Sequence, residues 1–390
     1  MKSRISQQPI NRRHCLALLA SALSACGGGG INLAALPGTG GTGIVAEGSI
    51  SGFGSVILNG IKFDDTQASA AGAVLVDGAS VTSAELRLGM VAAVRGERSL
   101  AAPTTGTATS IEVWSVARGT VSDLSDLSVS KLAGTFNVAE MKIRTTANTV
   151  LEGINASTPW ASGMSVVVWG LQATADASTW TATRVARVAA SPDWVLSGMV
   201  KLEDDGVYLN DLLLTGAALT GLQQGTLVRV QGRFTDSDEM AVSSVKVLAA
   251  TSYAPSTGSE LTLEGYVSTA LVNGRFGLGQ WVVDASALSS TAQIVVGAEV
   301  SVTGTYQNGV LQARALDVED EQVSKLVEIE ARIESFTSVA NFVLRGQRCD
   351  ATGASMKSGV AQRLAVGVKV KVQGTRAGEV LLVQELEADL

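Results

Sequence analysis

The sequence predicts an all-β chain: a tandem array of about five small β-barrel repeats that follows a lipoprotein signal peptide and a Gly-rich tether. Three observations carry that expectation. A segment with two glycines seven positions apart occurs five times, and the residues between those glycines alternate with a period of two. A second element precedes each copy, at Gly48, Gly119, Gly198, Gly265 and Ala331, with spacings of 71, 79, 67 and 66 residues. That spacing leaves room for about five or six strands per unit, enough for a small closed sheet and too little for one large core.

In chain order, the first feature is an address. Lys2, Arg4, Arg12 and Arg13 form a basic n-region, and the apolar stretch Leu16–Ala25 follows. Ten residues cannot cross a hydrocarbon core, which takes about 20 in helix, so residues 1–25 read as a signal peptide. Its end, Leu23-Ser24-Ala25-Cys26, resembles a bacterial lipobox, which implies cleavage before Cys26 and lipidation of its thiol. The Arg12-Arg13 pair suits either the general or the twin-arginine export route. Because Gly27 and not Asp follows Cys26, resemblance to Gram-negative lipoproteins implies sorting to the outer membrane, facing the periplasm or the cell surface. Residues 26–43 are Gly-rich and read as a flexible tether. Gly38, Gly40 and Gly43 satisfy G-x-G-x-x-G, but a lipobox precedes them and a strand-like run follows, so the dinucleotide fingerprint lacks its strand and helix.

The repeats come next. They read Gly89-Met-Val-Ala-Ala-Val-Arg-Gly96, Gly163-Met-Ser-Val-Val-Val-Trp-Gly170, Gly225-Thr-Leu-Val-Arg-Val-Gln-Gly232, Gly297-Ala-Glu-Val-Ser-Val-Thr-Gly304 and Gly367-Val-Lys-Val-Lys-Val-Gln-Gly374. The pairs Ala92/Val94, Val166/Val168, Val228/Val230, Val300/Val302 and Val370/Val372 face a core, and the flanking glycines fit bends or close backbone approaches. A third, alternating stretch follows, as in Ala182–Val188, Val242–Val247 and Ala313–Val318. The expected units are 44–116, 117–190, 191–252, 259–320 and 326–390, arranged as beads on a string. The first two are joined directly through Trp114–Gly119 and should stack, whereas Tyr253–Glu260 and Glu319–Lys325 are the expected hinges.

This pattern resembles tandem lipoproteins built from domain-of-unknown-function family 5666, whose units show an early Gly, an N-G turn and a final L-x-x-G-x-x-V-x-V-x-G. Asn59-Gly60, Asn210-Asp211 and Asn273-Gly274 sit where that turn would be; repeats two and five depart from it. The resemblance implies OB-like small β-barrels and a secreted lipoprotein, and it carries no activity with it.

Composition narrows the function. A chain that is 46% hydrophobic and 17% charged folds, and a net charge of -7 excludes a nucleic-acid binder that works by counterion release from phosphates. The one histidine, His14, lies in the signal peptide, so the processed chain has no imidazole for acid–base or metal chemistry. No cofactor and no metal is expected. Ser128/Lys131 and Ser243/Lys246 match S-x-x-K, a spacing that joins the two side chains on a helix but separates them on a strand. The acidic runs at Asp64-Asp65, Asp204-Asp205, Asp236–Glu239 and Glu319–Glu321 read as solvated turns, with Asp236 and Asp238 the nearest to a calcium site. Once Cys26 is lipidated, Cys349 is the one remaining thiol and reads as buried and inert. Trp160, Trp169 and Trp180 all fall in repeat two. Trp169 takes the outward position held elsewhere by Arg95, Gln231, Thr303 and Gln373, and a hairpin around Ala175-Asp176 would bring Trp180 to the same face. These three tryptophans are therefore a candidate ligand platform, against the plainer reading that they pack repeat two on its neighbours. The expected function is a non-enzymatic, lipid-anchored cell-envelope protein acting as a modular binding or spacer array. The membrane is its partner through the lipid, with an envelope glycan or protein as further partner. The alternative is a glycan binder using the aromatic face of repeat two.

Overall fold

The two glycines of each repeated segment turn out to hold the two tightest places in a small closed β-barrel. A computed structural model describes residues 43–99, 101–128, 131–248, 256–321 and 323–389. The signal peptide, Cys26 and the tether lie outside these residues. In barrel two the strands are Ala117–Ser125, Gly134–Val138, Met141–Glu152, Ser165–Gln172 and Thr179–Arg187. The first pairs antiparallel with the second, the second with the third, the third parallel with the fifth, the fifth with the fourth, and the fourth back with the first. That circuit has no free edge along its length.

The same circuit is drawn in barrel one by Gly43–Phe53, Val56–Leu58, Ile61–Asp64, Val91–Arg98 and Thr105–Val113. Barrel three uses Trp194–Glu203, Gly206–Leu209, Leu212–Thr215, Leu227–Asp236 and Glu239–Val247. Barrel four uses Glu260–Val272, Arg275–Leu278, Trp281–Asp284, Glu299–Gln307 and Val310–Val318. In barrel five the first strand is broken into Leu326–Arg332 and Ser335–Ser338, and Asn341–Leu344, Gln347–Asp350, Lys369–Ala377 and Val380–Asp389 complete the ring.

The leading glycine of each segment has a positive φ, from 75° at Gly89 to 88° at Gly367. Its N–H donates to the first strand, Gly89 to Ile50 O and Gly367 to Ile333 O, so a left-handed turn clasps the two repeated sequence elements together. The trailing glycine sits at a register shift between the fourth and fifth strands. A Cβ there would lie 2.0 Å from Thr107 O at Gly96 and 2.1 Å from Ala241 O at Gly232, so only hydrogen fits inside the bulge. The turn after the second strand has a positive φ in all five barrels, at Asn59, Ala139, Asn210, Gly279 and Arg345, whereas Asn273-Gly274, expected at that turn, closes the hairpin before it, between Glu260–Val272 and Arg275–Leu278. Repeats two and five therefore keep the turn with other residues.

The barrels do not form a string. The start of strand Gly43–Phe53 is not paired by its own second strand, and that edge is taken by barrel four in parallel register, Ile44↔Glu260 through Glu47↔Leu263. Its far end pairs with barrel five at Gly52↔Glu328 and Phe53↔Ile329. Ion pairs reinforce these contacts: Lys62–Glu328 at 2.6 Å, and Arg98–Glu260. Barrel three reaches barrel one through Arg229, which donates to Ser115 O and meets Asp77 at 3.0 Å. The apolar cores follow the same grouping. One cluster joins barrels one and five with the edge of barrel two, a second joins barrels two and three, and a third joins barrel four with Val45 and Ala93 of barrel one.

Of the expected connections, one holds and one is corrected. The stacking of barrels one and two holds, since three residues separate Thr105–Val113 from Ala117–Ser125. The 319–325 connection is no hinge, because Glu321 makes a two-pronged bond to Arg144 of barrel two and Lys325 is pinned by three carboxylates. Residues 251–255 of the other connection lie outside the described residues. Strand pairing between barrels, of barrel one with barrels four and five, replaces the freedom a string would have.

Candidate functional site

Where barrels one, two, three and four converge they leave a partly open cavity of about 90 Å³. Each barrel contributes from its strands: Glu47, Ala93, Glu112 and Trp114 from barrel one, Gly170, Gln172 and Trp180 from barrel two, Leu227 and Leu248 from barrel three, and Glu264, Gly279, Gln280 and Trp281 from barrel four. Its wall holds three indoles, three carboxylates and two primary amides, and no Lys, Arg or His.

The polar groups of this wall are fixed by their neighbours. Trp281, 4% exposed, donates its indole N–H to Glu47 Oε2 at 3.1 Å. Burial raises the pKa of the Glu47 carboxyl, and the indole bond only partly opposes this. Gln172 is 6% exposed and donates Nε2 to Thr174 O at 2.8 Å and to Ala175 O at 3.3 Å. Those two carbonyls set the amide orientation, which leaves Gln172 Oε1 buried without a partner. Gln280 Oε1 is likewise buried and unmatched. Gly279, with φ 54°, lies beside Gln172; a Cβ on it would be in ordinary contact with Gln172 Oε1 at 3.9 Å. Beside the cavity, Lys246 Nζ stands 3.8 Å over the Trp114 ring and 3.3 Å from Glu112 Oε2.

A second cavity of about 60 Å³ lies between barrels one, two, four and five, and Lys325 lines it. Lys325 Nζ is 2.9 Å from Glu264, 3.1 Å from Glu299 and 3.6 Å from Glu319. Burial disfavours its charge, but the three carboxylates outweigh burial and hold its pKa above the usual lysine value. The carboxylates divide. Glu299, buried and facing its neighbours, is pushed up to about 7 and accepts from Tyr266 Oη at 3.3 Å. Burial also acts on Glu264, yet Lys325 together with the Ser49 N–H at 2.6 Å holds it below the ordinary range. Arg376 lines the same cavity and donates to Thr149 O at 3.2 Å and to Asn148 O; burial pushes its pKa down to about 10.

The three tryptophans of repeat two do not share a face. Trp169 was expected to present an exposed indole and is instead 7% exposed, packed in the cluster of barrels one and five with Arg184 over its ring. Trp180 is 4% exposed, lies in the core of barrels two and three, and donates to Ala177 O. The hairpin forms as expected, with Trp180 opposite Gln172 and Trp169 opposite Arg184, but the bulge between Trp169 and Gly170 inverts the alternation between them. The outward face of barrel two is covered by barrel one, which is why an outward position is buried. Trp160 is half-buried and packs on Phe136 of its own barrel at 5.2 Å. Of the three, only Trp180 reaches the cavity.

The other candidates sort plainly. Cys26 lies outside the described residues. Cys349 is fully buried, and burial pushes its thiol up to about 12. Ser243 donates to Gln231 O while Lys246 sits over Trp114, and Ser128 Oγ accepts from the Lys131 backbone N–H while Lys131 Nζ pairs with Asp126 at 2.7 Å. Asp236 and Asp238 are exposed, as a turn would be. The Glu319–Glu321 run, expected as solvated, is a latch between barrels. Among the described residues no group of three His, Cys, Asp or Glu side chains is placed to hold a metal ion.

The residues that build the cavities were not singled out by composition. One signal was present: Glu47, Glu264 and Glu330 each stand immediately before the first-strand position of the repeat. In barrels one and four that carboxylate lines the shared cavity.

Residues 118–186 match the domain of unknown function DUF5666. The match spans barrel two almost end to end. No curated protein and no solved structure matches the chain.

Proposed function

We propose that this chain is a non-enzymatic, lipid-anchored cell-envelope protein whose OB-like barrels form a single binding body at the outer membrane. The observation that carries the binding role is the cavity between four barrels, lined by Gln172, whose Oε1 is buried and unmatched. A buried acceptor without a donor costs about 1–3 kcal/mol, a cost a ligand donor would remove. The anchor rests on the basic n-region, the short apolar stretch and Leu23-Ser24-Ala25-Cys26. A spacer made of separate beads is disfavoured by the strand pairing of barrel one with barrels four and five. A glycan seated on the Trp160–Trp169–Trp180 face loses its platform, because Trp169 packs with barrels one and five while Trp160 and Trp180 pack in the core of barrels two and three.

Fractionation of a Gram-negative host expressing the full chain tests the address. The wild type should sediment with membranes and incorporate labelled fatty acid, and Cys26→Ala should appear in the soluble periplasmic fraction. Membrane association of Cys26→Ala would overturn the anchor.

A further inference from the structure

We propose that the cavity between barrels one to four binds a small primary alkylammonium ion, with Glu47 as counter-charge, the Gln172 and Gln280 carbonyls as N–H acceptors, and the Trp180 and Trp281 indoles as walls. This rests on the binding-body reading above and names its ligand class.

The chemistry of the wall selects the class. Its unmatched polar atoms, Gln172 Oε1 and Gln280 Oε1, are both acceptors. A hydroxyl-rich ligand brings acceptors as well as donors, and the wall has little left to offer them, since the Trp281 N–H is taken by Glu47 and the Trp180 N–H by Ala177 O. An ammonium group brings donors only. The sign of the charge agrees: three carboxylates and no cationic side chain line the space. Glu112 and Glu264 already face Lys246 and Lys325, whereas Glu47 meets an indole N–H, so Glu47 is the carboxylate a cation would serve best.

Size and precedent point the same way. A partly open cavity of about 90 Å³ admits a small ligand such as an ammonium with two or three carbons. The protein itself builds a version of the arrangement next door, where Lys246 stands 3.8 Å over Trp114 with Glu112 as its counter-ion. Because burial raises the Glu47 pKa, binding a cation favours loss of its proton, and affinity should rise with pH.

The test is a titration of propylammonium chloride into the full chain in detergent, followed by calorimetry and indole fluorescence. Saturable binding with a dissociation constant of about 1 mM or tighter is expected, a range open to so small a ligand. 1-Propanol should bind at least tenfold more weakly. Glu47→Gln, which retains an acceptor for Trp281, should weaken propylammonium at least tenfold. Should that variant fail to fold, the wild type still decides: its affinity must fall as the pH is lowered and Glu47 takes up its proton. Phosphatidylethanolamine vesicles in the same titration separate a lipid-borne amine from a free one. No saturable propylammonium binding, equal affinity for 1-propanol, pH-independent binding, or binding of glucose in place of the amine would each overturn the assignment. Since the address is read by fractionation, these outcomes leave the Cys26 result standing and can be told apart from failure of the anchor.

Discussion

Replacing Lys325 with Met would leave Glu264, Glu299 and Glu319 facing one another without the ammonium that now stands 2.9, 3.1 and 3.6 Å from them. The side chains of Glu264 and Glu299 are only 8% and 7% exposed, so water cannot take the place of the lysine. Removing one partner of a buried ion pair costs about 3–5 kcal/mol, and the lower end applies because the Lys325 side chain keeps 29% exposure. For a body of this size, with an unfolding entropy near 0.7 kcal/mol per degree, about 3 kcal/mol corresponds to a melting temperature lower by about 4 °C. The cost should shrink at pH 5, where Glu299, pushed up to about 7, holds a proton and repels its neighbours less. Thermal unfolding of wild type, Lys325→Met and Lys325→Met with Glu299→Gln, at pH 5 and pH 8, measures this directly. The double variant should recover part of the loss at pH 8. An equal penalty at both pH values, or one below about 1 kcal/mol, would refute the view that this lysine holds the barrels together by charge.

Three further outcomes follow from the same structure. Glu299 has a folded pKa of about 7 against an ordinary value of 4.5, so its contribution is fully present below pH 4.5 and is lost as pH rises to about 7; urea midpoints should fall across that window, and Glu299→Gln should flatten the fall. Gly232→Val places a Cβ 2.1 Å from Ala241 O inside the bulge, and urea titration should show a loss of about 3 kcal/mol or more, whereas a change under about 0.5 kcal/mol would mean the bulge is not needed. Cys349, buried with its thiol pushed up to about 12, should react with a thiol reagent only after unfolding; fast labelling of the native chain would contradict its place in the core.

The ring of each barrel was legible because its determinants are local. A left-handed turn and a bulge each demand glycine, and Val166/Val168 or Val370/Val372 mark which side of the ribbon is inside, so the same ribbon announced itself five times. The assembly was not legible, because outward means solvent only for an isolated barrel. Trp169 keeps its outward position and is buried by barrel one, and Thr303, at an equivalent position, is fully buried as well. The parallel pairing of Ile44–Glu47 with Glu260–Leu263 has no trace in either segment's alternation, which describes faces and not edges. Glu319–Glu321 looked like a solvated turn because the sequence places Arg144 and Lys325 nowhere near one another. The carboxylate before Gly48 and Gly265 was the one sequence sign of the cavity, and it takes the packed barrels to give it meaning.

Small-angle X-ray scattering from the Cys26→Ala chain tests most directly whether the barrels close on one another around a shared cavity. A chain of about 350 residues folded as one body has a radius of gyration near 20 Å, whereas five units of this size in a row would give about 40 Å. A value in the low twenties, unchanged by moderate salt, is the expected result. A value near 40 Å would mean that the barrels stand apart, and the cavity with its ligand would go with them.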